Sequence, residues 1–308
     1  MIDLTNPIFQ TAEAAREFLE AQRWPEGPVC PKCGAKHEGT KLQGKSTRPG
    51  VYKCKACEKP YSITVGTVFE DSKVPLNKWL LLTFLMTSSK KGISAHQIHR
   101  TLGVTYKTAW FMCHRIREAM RTNSPTPGPI GGEGKIVESD ETFVGGKAKN
   151  VHRGKPIPKK HPVQALVERG GEVRARHVAD VTAKTLQETL VTQASRKSTL
   201  NTDDALQYYW TGREFAEHHA VNHSAGEYVS KDGKSHIQSA ESFFAILKRQ
   251  MYGTHHAVSE AHLQRYVNEV SFKWNHRAAL DVDDTDRAVA ALKGIGGKRL
   301  TYRSTRDA

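Results

Sequence analysis

The sequence is short of acid. It has 32 Asp and Glu against 46 Lys and Arg, for a formal charge of +14 and a pI near 9.5. That imbalance favours a polyanionic partner, either nucleic acid or an anionic membrane surface. Long apolar runs are also missing. The longest, "WLLLTFLMT" at 79–87, is about half of what a bilayer-spanning helix needs. The first residues read as a short amphipathic helix with acids, so no signal peptide is expected. Cysteine is scarce, at five residues, and four of these fall in two close pairs. This excludes the scattered, even pattern of a secreted disulfide scaffold. A soluble, cytoplasmic protein with no membrane partner is expected.

Hydrophobic residues make up 38% and charged residues 25% of the 308, enough apolar content for packed cores. The length suggests two or three domains. Cys30 and Cys33 in "CPKCG", with Cys54 and Cys57 in "CKAC", give C-x2-C-x20-C-x2-C. Two thiolates on one knuckle can share a metal, and a second knuckle completes a tetrahedral sulfur site suited to structural Zn²⁺. Flanking strand-like pieces make this a zinc ribbon. The redox reading of a single CxxC is disfavoured by the second pair. His37 is expected in a loop and Cys113 in a core.

Residues 94–120 read as helix, glycine turn, helix, with Ser94 and Thr105 as caps. Ile98 and Leu102 share one apolar face, and Ala109, Met112 and Ile116 another. From Ser88 to Arg121 there are seven Lys and Arg residues and one acid, Glu118, which suits a helix-turn-helix bound to double-stranded DNA. Thr105, Tyr106, Lys107, Thr108 and Arg115 are the candidate DNA contacts. An ordinary helical hairpin is the alternative. "TNSPTPGPIGGEG" at 122–134 reads as a linker.

Beyond it the pattern runs strand, strand, strand, helix, strand, helix, strand, helix. This predicts an α/β domain with a mixed sheet flanked by helices. Asp140 ends the first strand, and Asp203 or Asp204 ends the fourth. "ESFFAILK" at 241–248 puts Glu241 and Lys248 on one helix face, opposite Phe243, Phe244, Ile246 and Leu247. Three carboxylates in one place are costly unless a cation neutralises them. Oxygen ligands with open positions suit Mg²⁺ or Mn²⁺, and two such ions roughly 4 Å apart support phosphodiester transfer. Glu138 and Glu141, which flank Asp140, are expected on the other face of the strand in structural roles.

At this point the chain resembles the bacterial insertion-sequence transposases of the DDE superfamily, in the zinc-ribbon branch with an ISXO2-like transposase domain. The resemblance spans almost the whole chain. It rests on "CPKCG…YKCKAC…YSITVGTVFEDSKVPLNKW", "VESDETFVGGK", "NTDDALQYY" and "HIQSAESFFAILKRQMYGTHHAVSEAHLQRYVNEVSFKWNHR". It implies an RNase H-like catalytic domain that cuts and joins DNA at terminal inverted repeats. Asp140, Asp203 and Glu241 match the family's metal-holding catalytic carboxylates. Lys248 matches a basic residue expected to hold DNA near the cut phosphate. Two departures stand: Asp204 where the family often has glycine, here expected to be a helix cap, and Gln238 where it often has asparagine, an alternative third ligand position. His236 and His256 match family histidines and are lesser candidates near the phosphates.

The implied organisation is an N-terminal helix (1–24), zinc ribbon (25–72), helix-turn-helix domain (73–121), linker (122–134), catalytic domain (135–278) and basic tail (279–308). The implied activity is Mg²⁺-dependent polynucleotidyl transfer by a homodimer or higher oligomer on inverted-repeat and target DNA, nucleoid-associated when bound. A regulator derived from an inactive transposase and a metal-dependent nuclease without joining activity are the alternatives.

Overall fold

The computed structural model describes residues 3–121, 128–146, 159–222, 229–230, 233 and 235–301. The chain forms two compact units, residues 1–121 with 281–308, and residues 122–280.

The first unit opens with α1 (Pro7–Gln10) and α2 (Ala12–Arg23), capped by the side chains of Asn6 and Thr11. Strands β1 (Gly39–Lys41), β2 (Val51–Cys54) and β3 (Pro60–Ser62) form an antiparallel three-stranded sheet in that order. Helix α3 (Leu76–Ser88) buries Trp79, Leu80, Leu82 and Met86. Helices α4 (Ala95–Leu102) and α5 (Tyr106–Met120) follow, and the expected punctuation is present. Ser94 accepts from the N–H of Gln97 and Thr105 from that of Thr108. Gly103 closes α4 at φ 61°, a left-handed position that favours glycine.

The reading of 279–308 as a tail needs correction. Asp284–Lys293 is a helix, capped by the Asp283 side chain on the Asp286 N–H. Its Ala288, Ala291 and Leu292 are buried, and the Arg287 guanidinium donates to the Thr87 carbonyl. That short apolar stripe at helical spacing anchors the segment despite its charge and its glycine-rich end. Residues 302–308 lie outside the described residues.

The second unit holds a five-stranded sheet of β4 (Ile136–Val144), β5 (His161–Glu168), β6 (Val173–His177), β7 (Thr199–Asp203) and β8 (Glu217–Val221), in spatial order β6-β5-β4-β7-β8. The pairs β4–β5 and β5–β6 are antiparallel, whereas β4–β7 and β7–β8 are parallel. Helices α6 (Ala183–Gln193) and α7 (Tyr209–Gly212) lie between strands, and α8 (Gln238–Gln250) and α9 (Glu260–Asn275) follow the last. One sheet face packs Val144, Val163, Ala165, Val167 and Val173 against Phe243, Phe244 and Leu247 of α8 and Leu263, Val267 and Val270 of α9. The other packs Val137, Leu166 and Leu200 against Leu186 and Leu190 of α6, with Tyr208 and Phe215. The expected order of elements is present, and the domain is RNase H-like: a mixed sheet covered by helices on both faces.

The linker reading also needs correction in its second half. Residues 122–127 lie outside the described residues, but Ile130 is buried. Its N–H donates to the Gln193 carbonyl and its own carbonyl accepts from the Ser195 N–H. The single large apolar side chain in that Pro/Gly stretch seals the end of α6.

Candidate active site and cysteine cluster

The strand period of two decides what stands on each face of β4. Val144, Thr142, Asp140 and Glu138 share the face toward α8. Val137, Ser139, Glu141 and Phe143 share the other. The parallel register pairs Glu138 with Asn201. Two residues further along each strand, on the same face, stand Asp140 and Asp203. Both are half-buried at the carboxyl end of β7, where open α/β sheets place their ligand sites. Asp140 accepts from the Glu141 N–H at 2.7 Å, and Asp203 from the Ala205 N–H at 3.2 Å.

Asp204 is exposed, and the short helical turn that follows opens at Leu206 with Ala205 as its cap. Asp204 therefore does not cap it; the Asp203 carboxylate takes the neighbouring N–H instead. Leu206, Tyr209 and Trp210 just beyond are exposed, with Arg213 over both aromatic rings.

Glu241 lies in the first turn of α8 and Lys248 in its last, both exposed, while Phe243, Phe244 and Leu247 are buried and Ile246 is partly so. Gln238 is exposed one helical turn before Glu241, on the same side. The N-cap residue of α8, Ile237, offers no side-chain hydrogen bond. The cap comes from β4: fully buried Glu138 accepts from the N–H groups of Ser239 (2.7 Å) and Ala240 (3.1 Å) and from the Ser239 hydroxyl (3.0 Å). Arg169, in the turn of the β5–β6 hairpin, completes the arrangement by donating to Glu138 at 3.0 Å.

The expectation that Glu138 faces away from Asp140 is thus wrong by strand geometry, since residues two apart share a face. Its role is structural, at the root of the helix that carries Glu241. Glu141 does lie on the opposite face, where Tyr208 donates a hydrogen bond to its carboxyl group. Burial, then the charges of Asp140 and Asp203, push the Glu141 pKa up to about 8. Burial is the larger cause, and the like charges of Asp140 and Asp203 add to it. This donor set fits a hard divalent cation. The three carboxylates do not crowd one point: among the described residues, they are not one of the groups whose ligand atoms all lie within 4.8 Å. A pair of ions does not require all three around a single ion.

His236 is engaged through Nδ1, which accepts from Arg169 (3.2 Å) and from the Gln238 N–H (3.4 Å). That bonding places its proton on Nε2. His256, at φ 62°, donates from Nδ1 to the Tyr252 carbonyl at 3.1 Å.

In the first unit the four cysteine sulfurs lie within 4.8 Å of one another. Cys30 and Cys57 are 3.8 Å apart, and Cys33 and Cys54 3.6 Å. The edge of a tetrahedron of sulfurs around zinc, at bonds of about 2.3 Å, is roughly 3.8 Å. For Cys30, burial pushes the thiol pKa upward, but N–H donation from Lys32 and Cys33 outweighs it and brings the pKa down to about 7. These donors favour the Cys30 thiolate that a metal needs, whereas Cys33, despite the Ala35 N–H, is pushed up to about 12 by its bonds with the other three sulfurs and by burial. His37 is exposed at φ 58° and stands outside the cluster, and Cys113 is buried. Thr105, Tyr106 and Lys107 are exposed at the start of α5, and Tyr106 stacks on His96 at 4.2 Å. Arg115 is instead buried, donating to the carbonyls of Glu70 and Leu300.

Comparison with known proteins gives the family. Residues 131–275 match the ISXO2-like transposase domain and residues 10–60 the transposase zinc-ribbon domain. The class is therefore a DDE-type transposase with a zinc ribbon. The chain is 30% identical, over 282 residues, to a protein of Halobacterium salinarum described as "Uncharacterized protein in transposable element ISH50", covering 84% of this chain and 89% of that one. It belongs to the insertion-sequence transposase family with the ISXO2-like domain. A crystal structure of a pre-cleavage Mos1 transpososome aligns over 94% of both chains at 12% identity, with a TM-score of 0.22, too low to carry a structural argument. Among the described residues no helix is long and apolar enough to cross a membrane.

Proposed function

We propose that the protein binds the terminal inverted repeats of its element and catalyses metal-dependent strand cleavage and strand transfer, with Asp140, Asp203 and Glu241 holding Mg²⁺ or Mn²⁺. One observation carries this reading: on neighbouring parallel strands Asp140 and Asp203 each stand two residues beyond the paired Glu138 and Asn201, which puts both carboxylates on the same face. The Glu138 cap fixes the start of the Glu241 helix to the same strand. Bound metal would supply charge neutralisation at the phosphate and an activated oxygen nucleophile.

The chain's own residues do the rest. The carboxylates give a hard, oxygen-only site on rigid elements. Lys248 presents a cation two turns along α8 from Glu241, suited to hold a phosphate of the bound strand. Thr105, Tyr106, Lys107 and Thr108 open α5 and form the proposed DNA-reading edge. Arg115 is left out, because its guanidinium is buried on backbone carbonyls. The four cysteines hold structural Zn²⁺, and a homodimer or higher oligomer on DNA is part of the proposal, because two ends must be cut together.

The test is a labelled end fragment incubated with the protein under Mg²⁺ or EDTA, beside Glu241→Gln. Cutting at the repeat boundary that needs metal and is lost in the variant is the expected result. Binding without cutting under both Mg²⁺ and Mn²⁺ would overturn the catalytic reading in favour of a regulator. Cutting without joining to target DNA would reduce it to a nuclease.

A further inference from the structure

A second cluster of metal-ligand side chains lies in the RNase H-like unit, away from the carboxylates. His161 opens β5 and His177 ends β6. Their strands pair so that His177 opposes Val163, two residues from His161 and on the same face. That face is covered by α9, whose first residue is Glu260. His161 Nδ1 is 3.4 Å from Glu260 Oε1, and His177 Nε2 is 3.9 Å from the same oxygen. The three ligand atoms all lie within 4.8 Å of one another. The site is distinct from the proposed active site: His161 is four residues along β5 from Ala165, the partner of Asp140, or about 13 Å.

The spacings do not suit hydrogen bonding. Nitrogen and oxygen pair best at about 2.7–3.2 Å; the His177 contact is well beyond that, and the His161 contact, at its long edge, is not a hydrogen bond. His161 Nδ1 is shielded from solvent and has no hydrogen-bond partner among the described residues. A buried polar nitrogen left this way has lost its hydrogen bonds to water without replacement, which is unfavourable. The spacings do suit ligands of one ion. For bonds of 2.0–2.1 Å, a tetrahedral edge is about 3.3–3.4 Å, which the His161–Glu260 pair already meets. A shift of about half an ångström would bring His177 to the same edge.

We propose that His161, His177 and Glu260 form a binding site for a first-row transition-metal dication, Zn²⁺ in the first instance. Two imidazoles and one carboxylate make a borderline donor set that selects Zn²⁺ over Mg²⁺, with Ni²⁺ and Cu²⁺ as competitors. The carboxylate of Glu260 is about half exposed, so the ion has an entry path and the fourth position is open to water. Lys159 Nζ, 3.6 Å from Glu260 Oε1, belongs to a side chain 75% exposed and can swing into solvent as the ion enters. The bound ion would fasten the first turn of α9 to the end of the β5–β6 hairpin. It would reinforce Gln264, which accepts from the His177 N–H and donates to the Ala175 carbonyl.

The test counts metal on the full chain. Protein is loaded with Zn²⁺, freed of excess by gel filtration and assayed by atomic emission, beside His177→Gln, Glu260→Gln and Asp140→Asn. Two zinc per chain are expected for wild type and Asp140→Asn, and one for the other two variants, with circular dichroism unchanged. A single equivalent in wild type, or two retained in both His177→Gln and Glu260→Gln, would overturn the site. Should the variants fail to fold, cobalt titration of the wild type decides. A second equivalent that adds visible absorbance without thiolate-to-cobalt charge transfer supports the site. Saturation at one thiolate-bound cobalt refutes it.

Discussion

The Glu138 carboxylate receives the Ser239 N–H at 2.7 Å, and this bond joins two elements two residues short of the proposed catalytic groups on each. Asp140 follows Glu138 by two positions on one strand face. Glu241 follows Ser239 by two in the first helical turn. Replacing Glu138 with alanine strips acceptors from two helix N–H groups and from Arg169. The expected loss of stability is about 3 kcal/mol, read by urea denaturation. End cleavage should fall with it, whereas DNA binding by the intact first unit should persist. Unchanged cleavage would show that this bond does not set the carboxylate spacing.

Glu141 makes stability depend on pH in the metal-free protein. Its folded pKa, about 8, lies above the ordinary carboxyl value of 4.5, so the folded state binds the proton more tightly. Its contribution is complete below about pH 4.5 and is lost as pH rises through 8. In EDTA, urea midpoints should fall across that window more steeply for wild type than for Glu141→Gln, whose amide stays neutral. Parallel curves would refute the shift.

Chelation should remove order from the first unit selectively. Cys54 is fully buried in the four-sulfur cluster, so Cys54→Ser should abolish zinc retention there and weaken end-DNA binding at least tenfold. Fluorescence anisotropy with a labelled end, with and without a strong chelator, measures this. Binding that survives full zinc loss would remove the ribbon from DNA recognition.

Lys107 is exposed at the start of α5, and in the proposed DNA-reading role it contacts phosphate. Lys107→Ala should weaken binding to all sequences alike and reduce the slope of log K against log salt by about 1. Arg115→Ala should act otherwise. Its buried guanidinium holds the Glu70 and Leu300 carbonyls, so the melting temperature should drop while the salt slope stays fixed.

Phe243 is fully buried between the sheet and α9 on the face of α8 opposite Glu241 and Lys248. Phe243→Ala should cost about 3–5 kcal/mol, with cleavage lost through unfolding rather than through metal binding. Thermal unfolding followed by circular dichroism distinguishes the two.

Much of this molecule is local, and local features are legible in a sequence. The cysteine spacing, the Ser94 and Thr105 caps, the Gly103 turn and the two faces of α8 depend on residues within a few positions of each other. Periodicity and side-chain chemistry therefore suffice to read them. The order of strands and helices in the second unit followed from the same signals, and the family from long ordered matches.

What failed depended on partners distant in sequence. The helix at Asp284–Lys293 looked like a tail because its apolar stripe is short, and only packing in the first unit reveals the stripe's purpose. Arg115 reads as a DNA contact until Glu70 and Leu300 claim its guanidinium. The Asp140–Asp203 pairing rests on a parallel register, which no local pattern encodes. The α8 cap lies about a hundred residues upstream, on Glu138. His161, His177 and Glu260 meet only because a hairpin register and a helix docking bring three separate segments together. Sequence alone determined the chemistry each segment could offer. The tertiary structure decided which of those groups face one another, because strand register and helix docking are fixed by burial of whole faces rather than by any single residue.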